Sequence, residues 1–189
     1  MTRPSRPDYF FPDPALVEKR VRLRPFYKGR CVGFNVDDVR LPNGRLAKRE
    51  YLDHHGAVGV LPFLDRRTVV LVRQFRYPVG RVTLEIPAGK LDAEESHLTC
   101  VKRELREETG YTARRIHHLI DYWPTPAFSN ELLRLYTAEG LRPGRRSPDH
   151  DEFIEAVAVP LREALNLVRL GRIRDSKTVI ALLAARGLA

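Results

Sequence analysis

A chain of 189 residues, 43% of them hydrophobic, has room for one well-filled soluble domain plus a modest appendage. No apolar run approaches the ~20 residues that span a bilayer, residues 1–14 lack the apolar segment of a secretory signal, and two cysteines make no disulfide framework, so the cytoplasm is the expected compartment. The net charge of +9 admits nucleic acid as a partner, but the basic residues are scattered and not interleaved with aromatics, and attraction of a polyanionic small substrate explains the surplus equally well.

Residues 1–25 are rich in Pro and Arg, with a short helix predicted at 15–20. The run CVGFNVDDVRL then meets Pro42-Asn43-Gly44 and continues as RLAKREYLD; two apolar stretches about an Asn-Gly turn signal a hairpin. Strands are predicted over 57–64, 68–75 and 83–86. Between 92 and 109 there is no Pro or Gly and Glu, Lys, Arg and Leu dominate, which predicts a helix stopped by Gly110. Strands at 116–122 and 132–137 flank the loop WPTPAFSNE, RPGRRSPDHDE is a polar loop, and FIEAVAVP is the last strand. A helix over 161–170 ends at Gly171, and a final helix capped by Asp175 or Ser176 runs to Ala185. This order suits an α/β fold: a mixed β-sheet sandwiched between α-helices, preceded by an N-terminal antiparallel β subdomain. Residues 1–55 are assigned to that arm and subdomain, and 56–189 to the main domain. The hairpin of the first part would expose strand edges if left alone.

The helix over 92–109 carries the chemistry. Leu98, Val101 and Leu105 fall on one side and are expected in the core. Glu104 and Glu108 stand one turn apart on another face, with Glu107 beside them. Three carboxylates this close repel one another unless cations intervene, and Mg2+, a hard ion that takes oxygen ligands and substrate phosphates, is the natural choice, with Mn2+ the alternative. Arg103 adjoins the cluster and can orient a carboxylate by a bidentate contact. The turn at Ala88-Gly89 can aim a backbone carbonyl at the same metal. Cys100, one turn before Glu104, is too soft a ligand for Mg2+ and reads as a packed thiol. The pairs His54-His55 and His117-His118 lack zinc-like spacing and read as structural or surface residues.

Residues 89–111, GKLDAEESHLTCVKRELREETGY, fit the pattern G-x5-E-x7-R-E-U-x-E-E-x-G-U (U bulky apolar or aromatic) at every fixed position. On this motif the chain resembles the Nudix hydrolases, a family that uses divalent metal to cleave nucleoside diphosphates linked to a further group. The resemblance implies metal binding by the Ala88 carbonyl, Glu104 and Glu108, with Glu107 a further ligand or catalytic group and Glu95 and Arg103 in support. It also implies the Nudix fold.

Outside the motif, HHGAVGVLPF, LVRQFRYPVG, LEIPAGKLD and GRIRDSKTVIALL resemble the ADP-ribose pyrophosphatase branch. In that branch Arg76 matches a position that contacts substrate phosphate, and Pro126 matches a loop proline on the adenosine or ribose side. Arg49 and Glu50 are candidates for contacts that reach a partner's site, because in that branch the N-terminal sheet exchanges between subunits of a homodimer. Glu85 is a candidate either for metal or for structure. Tyr77 and Phe128 are candidates for stacking on adenine, with core packing the favoured alternative. The carboxylate that positions water comes from the acidic loop at 148–152; Glu152 aligns with it and Asp151 is next. His150 departs from the family, standing where a second glutamate is expected. The implied activity is hydrolysis of ADP-ribose to AMP and ribose 5-phosphate. Another sugar nucleotide, above all GDP-mannose, is the alternative, and an ADP-ribose-sensing binding module is a non-enzymatic one that the intact carboxylates disfavour.

Overall fold

The computed structural model describes residues 13–146 and 153–187, which form two compact units, one of residues up to His54 with Ala127–Asn130, the other of His55–Pro126 and the chain from Glu131 onward.

The first unit is a four-stranded antiparallel sheet centred on β3 (Gly33–Arg40). Strand β4 (Leu46–Asp53) pairs along its whole length, from Gly33↔Asp53 to Arg40↔Leu46. Strands β1 (Lys19–Arg22) and β2 (Pro25–Lys28) pair with successive halves of β3. The β3–β4 hairpin turns at Gly44, whose φ of +82° is a left-handed conformation open to glycine without penalty. Asn35, Asp37 and Val39 alternate along β3 and are buried; Asp37 is satisfied by the Arg24 N–H at 3.0 Å and the Tyr51 hydroxyl at 3.2 Å. The helix predicted at 15–20 does not form: the chain is strand from Lys19. A window that short cannot repay helix nucleation, whereas β3 offers it a ladder. Several apolar side chains of this sheet face water, among them Val21, Leu23, Phe26 (79% exposed) and Leu46.

The second unit holds a seven-stranded mixed sheet with the order β11-β6-β5-β10-β9. Its strands are β5 (Ala57–Asp65), β6 (Thr68–Arg76), β7 (Arg81–Glu85), β8 (Ala88–Lys90), β9 (Tyr111–Tyr122), β10 (Leu133–Pro143) and β11 (Ile154–Pro160). Among the described strands of this sheet, only the β5–β10 pair is parallel. Alternation along β5 separates two cores. Val58 and Val60 face helix α1 (His97–Thr109), meeting Cys100, Val101 and Leu105. Leu61 and Phe63 join Leu133 and Leu135 of β10 against α2 (Leu161–Arg169) and α3 (Ser176–Ala184). Covered on both faces, β5 reads as a near-continuous apolar run, and each large side chain so buried contributes about 1.5–3 kcal/mol. Among the described residues no helix is long and apolar enough to cross a membrane.

One irregularity positions the site. Strands β5 and β6 pair only near their hairpin, at Phe63↔Val69 and Asp65↔Thr68. Beyond that they part, β6 pairing with β7 (Val72↔Glu85) and β5 with β8 (Gly59↔Ala88). The chain from Glu85 to Gly89 therefore crosses between the two strands, held by the Val60 N–H to the Pro87 carbonyl at 2.9 Å.

Candidate active site

Helix α1 starts later than its composition predicts. Ser96 is its cap, accepting the Thr99 N–H at 3.2 Å, and residues before it form a turn in which Glu94 has a φ of +62°. An N-cap satisfies one of the four orphan N–H groups of the first turn, which composition alone does not register. The turn brings Glu95 back toward Arg103. The helix ends as expected at Gly110, with φ +77°. Val101 and Leu105 are fully buried, but Leu98 is 44% exposed, since it lies in the first turn, where the helix overhangs its core.

The acidic face of α1 meets the strand crossing at β8. Gly89 lies directly under Glu104: a Cβ on Gly89 would stand 1.8 Å from Glu104 Oε1. One turn on, Glu108 Oε2 accepts the Ala88 N–H at 3.1 Å. Glu104 and Glu108 are 8% and 2% exposed, so two carboxylates and the backbone at Ala88–Gly89 share one small, poorly hydrated region.

Arg103 holds the rest of the acids. Its Nε and Nη2 donate to the two oxygens of Glu95 at 3.0 and 2.9 Å, and its Nη1 to Glu104 at 2.6 Å and Glu107 at 3.1 Å. Nη2 also reaches the Lys90 carbonyl at 3.2 Å. The planar fork of guanidinium makes this many-partner arrangement feasible. Hydrogen bonds from Arg103 hold the Glu95 carboxyl down to about 2 against the opposing effect of burial. The Cys100 thiol is buried and donates to the Lys90 carbonyl at 3.4 Å; burial pushes its pKa up, so it is a packed thiol, not a thiolate.

Among the described residues no three His, Cys, Asp or Glu side chains converge as a ready cage for a metal. Mg2+ does not require one, since it binds through one or two carboxylates, waters and substrate phosphates. Hard oxygen donors at Glu104, Glu108 and the Ala88 backbone fit it, and the missing side chain at Gly89 makes room for the Glu104 carboxylate.

Beside this face lies a second buried ionic group. Arg76, at the end of β6, donates through Nε and Nη2 to the two oxygens of Glu85 at 2.9 and 2.7 Å. Glu85 is 1% exposed and also takes the Thr83 hydroxyl at 2.6 Å and the Lys177 ammonium. Burial alone would raise the Glu85 pKa, but hydrogen bonds from Arg76 and the charge of Lys177 overcome it and bring it down to about 2. Both Glu85 oxygens are thus engaged, by Arg76, Thr83 and Lys177. The Arg76 pKa is raised, first by Glu85 and, at longer range, by Asp175 and Glu108. Arg76 also lines an open cleft of about 880 Å3 with Arg81, Arg172, Arg174 and Lys177.

Pro126 is exposed in the turn that follows β9. Arg49 and Glu50 lie on β4 in the first unit, where Arg49 Nε pairs with Glu18 at 2.8 Å and Glu50 is exposed. Glu152, with Asp151 and His150, lies outside the described residues. Tyr77 and Phe128 are not core residues, being 88% and 53% exposed. Sequence reasoning missed Lys177 and gave Asp175 only a capping role. The run GRIRDSKTVIALL contains both, but nothing in it says that its lysine meets a glutamate 92 residues away.

A family model described as NUDIX domain matches residues 53–182. The chain is 42% identical over 166 residues to the methanol dehydrogenase activator of Bacillus methanolicus, covering 87% of this chain and 90% of that one. It is 39% identical over 170 residues to the ADP-ribose pyrophosphatase of Bacillus subtilis (strain 168), covering 89% and 92%. A crystal structure of an ADP compounds hydrolase shares the fold, with a TM-score of 0.79 at 22% identity over 90% of this chain and 93% of that one. The matched stretch contains the strand crossing, the carboxylate face and Arg76, and the chain belongs to the Nudix family.

Proposed function

We propose that the protein hydrolyses the pyrophosphate bond of ADP-ribose, or of a related nucleoside diphosphate sugar, with Mg2+ or Mn2+. The observation that carries this reading is the closure of Glu104 and Glu108 onto the Ala88–Gly89 backbone. A divalent ion held by Glu104, Glu108 and the Ala88 carbonyl would neutralise phosphate oxygens and make a bound water more acidic. Arg103 keeps Glu104 and Glu107 aimed at that region. Arg76 uses Nε and Nη2 on Glu85, and its Nη1, which has no partner among the described residues, is left for a substrate phosphate. Water adds to phosphorus, the bridging P–O bond breaks, and the leaving phosphate keeps that oxygen, giving AMP and ribose 5-phosphate from ADP-ribose. A carboxylate of the acidic loop, Glu152 or Asp151, accepts the proton of the attacking water.

The relative from Bacillus subtilis supports the choice of ADP-ribose. In the same reading the N-terminal sheet pairs two copies into a homodimer, with Arg49, Glu50 and Pro126 contributing to substrate contacts. The apolar side chains that this sheet leaves in water support that role. Two cysteines with no disulfide between them are in keeping with a reducing cytoplasm.

The test is a panel of nucleoside diphosphate sugars with Mg2+ or Mn2+, products identified, run beside Glu108→Gln and Glu152→Gln. ADP-ribose should give AMP and ribose 5-phosphate, and Glu108→Gln should lose at least about 100-fold in turnover while folding normally. A clear preference for GDP-mannose overturns the substrate, full activity of Glu108→Gln overturns the metal assignment, and tight ADP-ribose binding without turnover favours a sensing module.

A further inference from the structure

The first turn of α3 grips the strand crossing from behind. The Lys177 ammonium bonds Glu85 and, at 2.7 Å, Asp175 Oδ1. Asp175 Oδ2 caps α3 by accepting the Thr178 N–H at 3.0 Å, and takes the Thr178 hydroxyl at 2.5 Å. The same hydroxyl oxygen accepts the Ile86 N–H at 2.8 Å. So one helical turn holds the side chain of Glu85 and the backbone of the next residue, two steps before the Ala88 carbonyl. Lys177 is 8% exposed. A buried ammonium needs full compensation, and here it sits between two carboxylates, while Glu85 sits between two cations.

This changes what Glu85 can do for Arg76. A glutamate facing Arg76 alone would be free to swing with it and would cancel its charge. Shared with Lys177 and pinned by Thr83, Glu85 becomes a fixed bidentate platform. We propose that Lys177 and Asp175 are positioning residues for Arg76: through Glu85 they set the one guanidinium orientation that leaves Nη1 for a substrate phosphate. This rests on the reading of Arg76 as a phosphate contact.

The experiment compares Lys177→Met, Lys177→Arg and the charge-balanced double variant Lys177→Met/Asp175→Asn, each in wild-type and Arg76→Ala backgrounds. Asparagine still caps a helix, and removing one charge of each sign keeps the net charge, so the double variant guards against simple unfolding. Thermal unfolding checks the fold. The readouts are KM and kcat for ADP-ribose, and calorimetric binding of its α,β-methylene analogue without metal. For the folded double variant, KM and the analogue Kd should rise about tenfold with kcat within about twofold, about 1.4 kcal/mol of binding. Lys177→Arg should recover most of it. In the Arg76→Ala background the Lys177 change should add nothing further, because both act through one contact. Wild-type KM and Kd in the folded double variant overturn the proposal, as does an undiminished Lys177 effect when Arg76 is absent. If Arg76→Ala itself leaves KM and Kd unchanged, the phosphate-contact reading fails and this proposal falls with it.

Discussion

Glu104 occupies the space that a side chain on Gly89 would need. The ideal Cβ position lies 1.8 Å from Glu104 Oε1 and 2.1 Å from its carboxyl carbon. The glycine that opens the motif is therefore a packing requirement of the carboxylate 15 positions later, not only a turn former.

Gly89→Ala should separate fold from catalysis. The atoms in the way are the far end of a flexible side chain, so Glu104 can rotate aside at little cost in stability. A displacement of about 1 Å at a reacting centre costs about 100-fold in rate. The expected result is a melting temperature within a few degrees of wild type, about 2–4 °C being the shift per kcal/mol for a chain of this size, and a turnover loss near 100-fold. A variant with normal turnover contradicts the assignment of Glu104.

Arg103→Lys preserves the charge and removes the fork. A lysine ammonium cannot chelate Glu95 while reaching both Glu104 and Glu107. Groups that orient metal-binding carboxylates are worth about 10–100-fold in metal affinity or activity. A Mg2+ titration should show the half-saturating concentration raised by that order. An unchanged titration would mean that Glu104 and Glu107 hold their places without it.

Glu85 makes stability depend on pH in the acid range. Its folded pKa of about 2 lies below the ordinary carboxyl value of 4.5. The stabilisation is thus fully present above the unfolded-state value and is lost as pH falls through the range from 4.5 toward 2. Its size is on the order of 3 kcal/mol. Glu85→Gln should be less stable than wild type at pH 7, with the gap closing as the solution is acidified. Urea unfolding at several pH values measures it, and a gap independent of pH would refute the ionic account.

Phe26→Glu tests the N-terminal sheet as a pairing surface. A charge on an exposed apolar strand should raise the dimer dissociation constant about 30-fold or more if the residue is central to the interface. Sedimentation over a range of concentrations reads this directly. Monomeric wild-type protein, or a dimer indifferent to the change, would remove the sheet from the interface.

The motif helix shows how far sequence pattern reaches. Gly110 announces the helix end because left-handed backbone suits glycine, and Val101 and Leu105 follow the helical period into the core. The start at Ser96 was not legible from composition, because residues before it are also good helix formers and only the cap geometry decides. Leu98 shares the period with Val101 yet faces water, since periodicity names a face but not how far the neighbouring sheet extends. The short helix predicted at 15–20 failed for the complementary reason: a strand edge at β3 outweighed weak local propensity.

What the sequence determined by itself is the local chemistry: seven fixed residues within one helix and its preceding turn, whose spacing alone places Glu104, Glu107, Glu108 and Arg103 within reach of one another. What only the tertiary structure decided is everything that joins distant segments. The parting of β5 and β6 lets the chain at Ala88–Gly89 cross under the carboxylates, and the meeting of Glu85 with Lys177 ties α3 to Arg76. Local spacing follows from helix geometry, which is the same in every protein. Contacts between segments depend on how all the apolar faces pack at once, and no short stretch of sequence carries that.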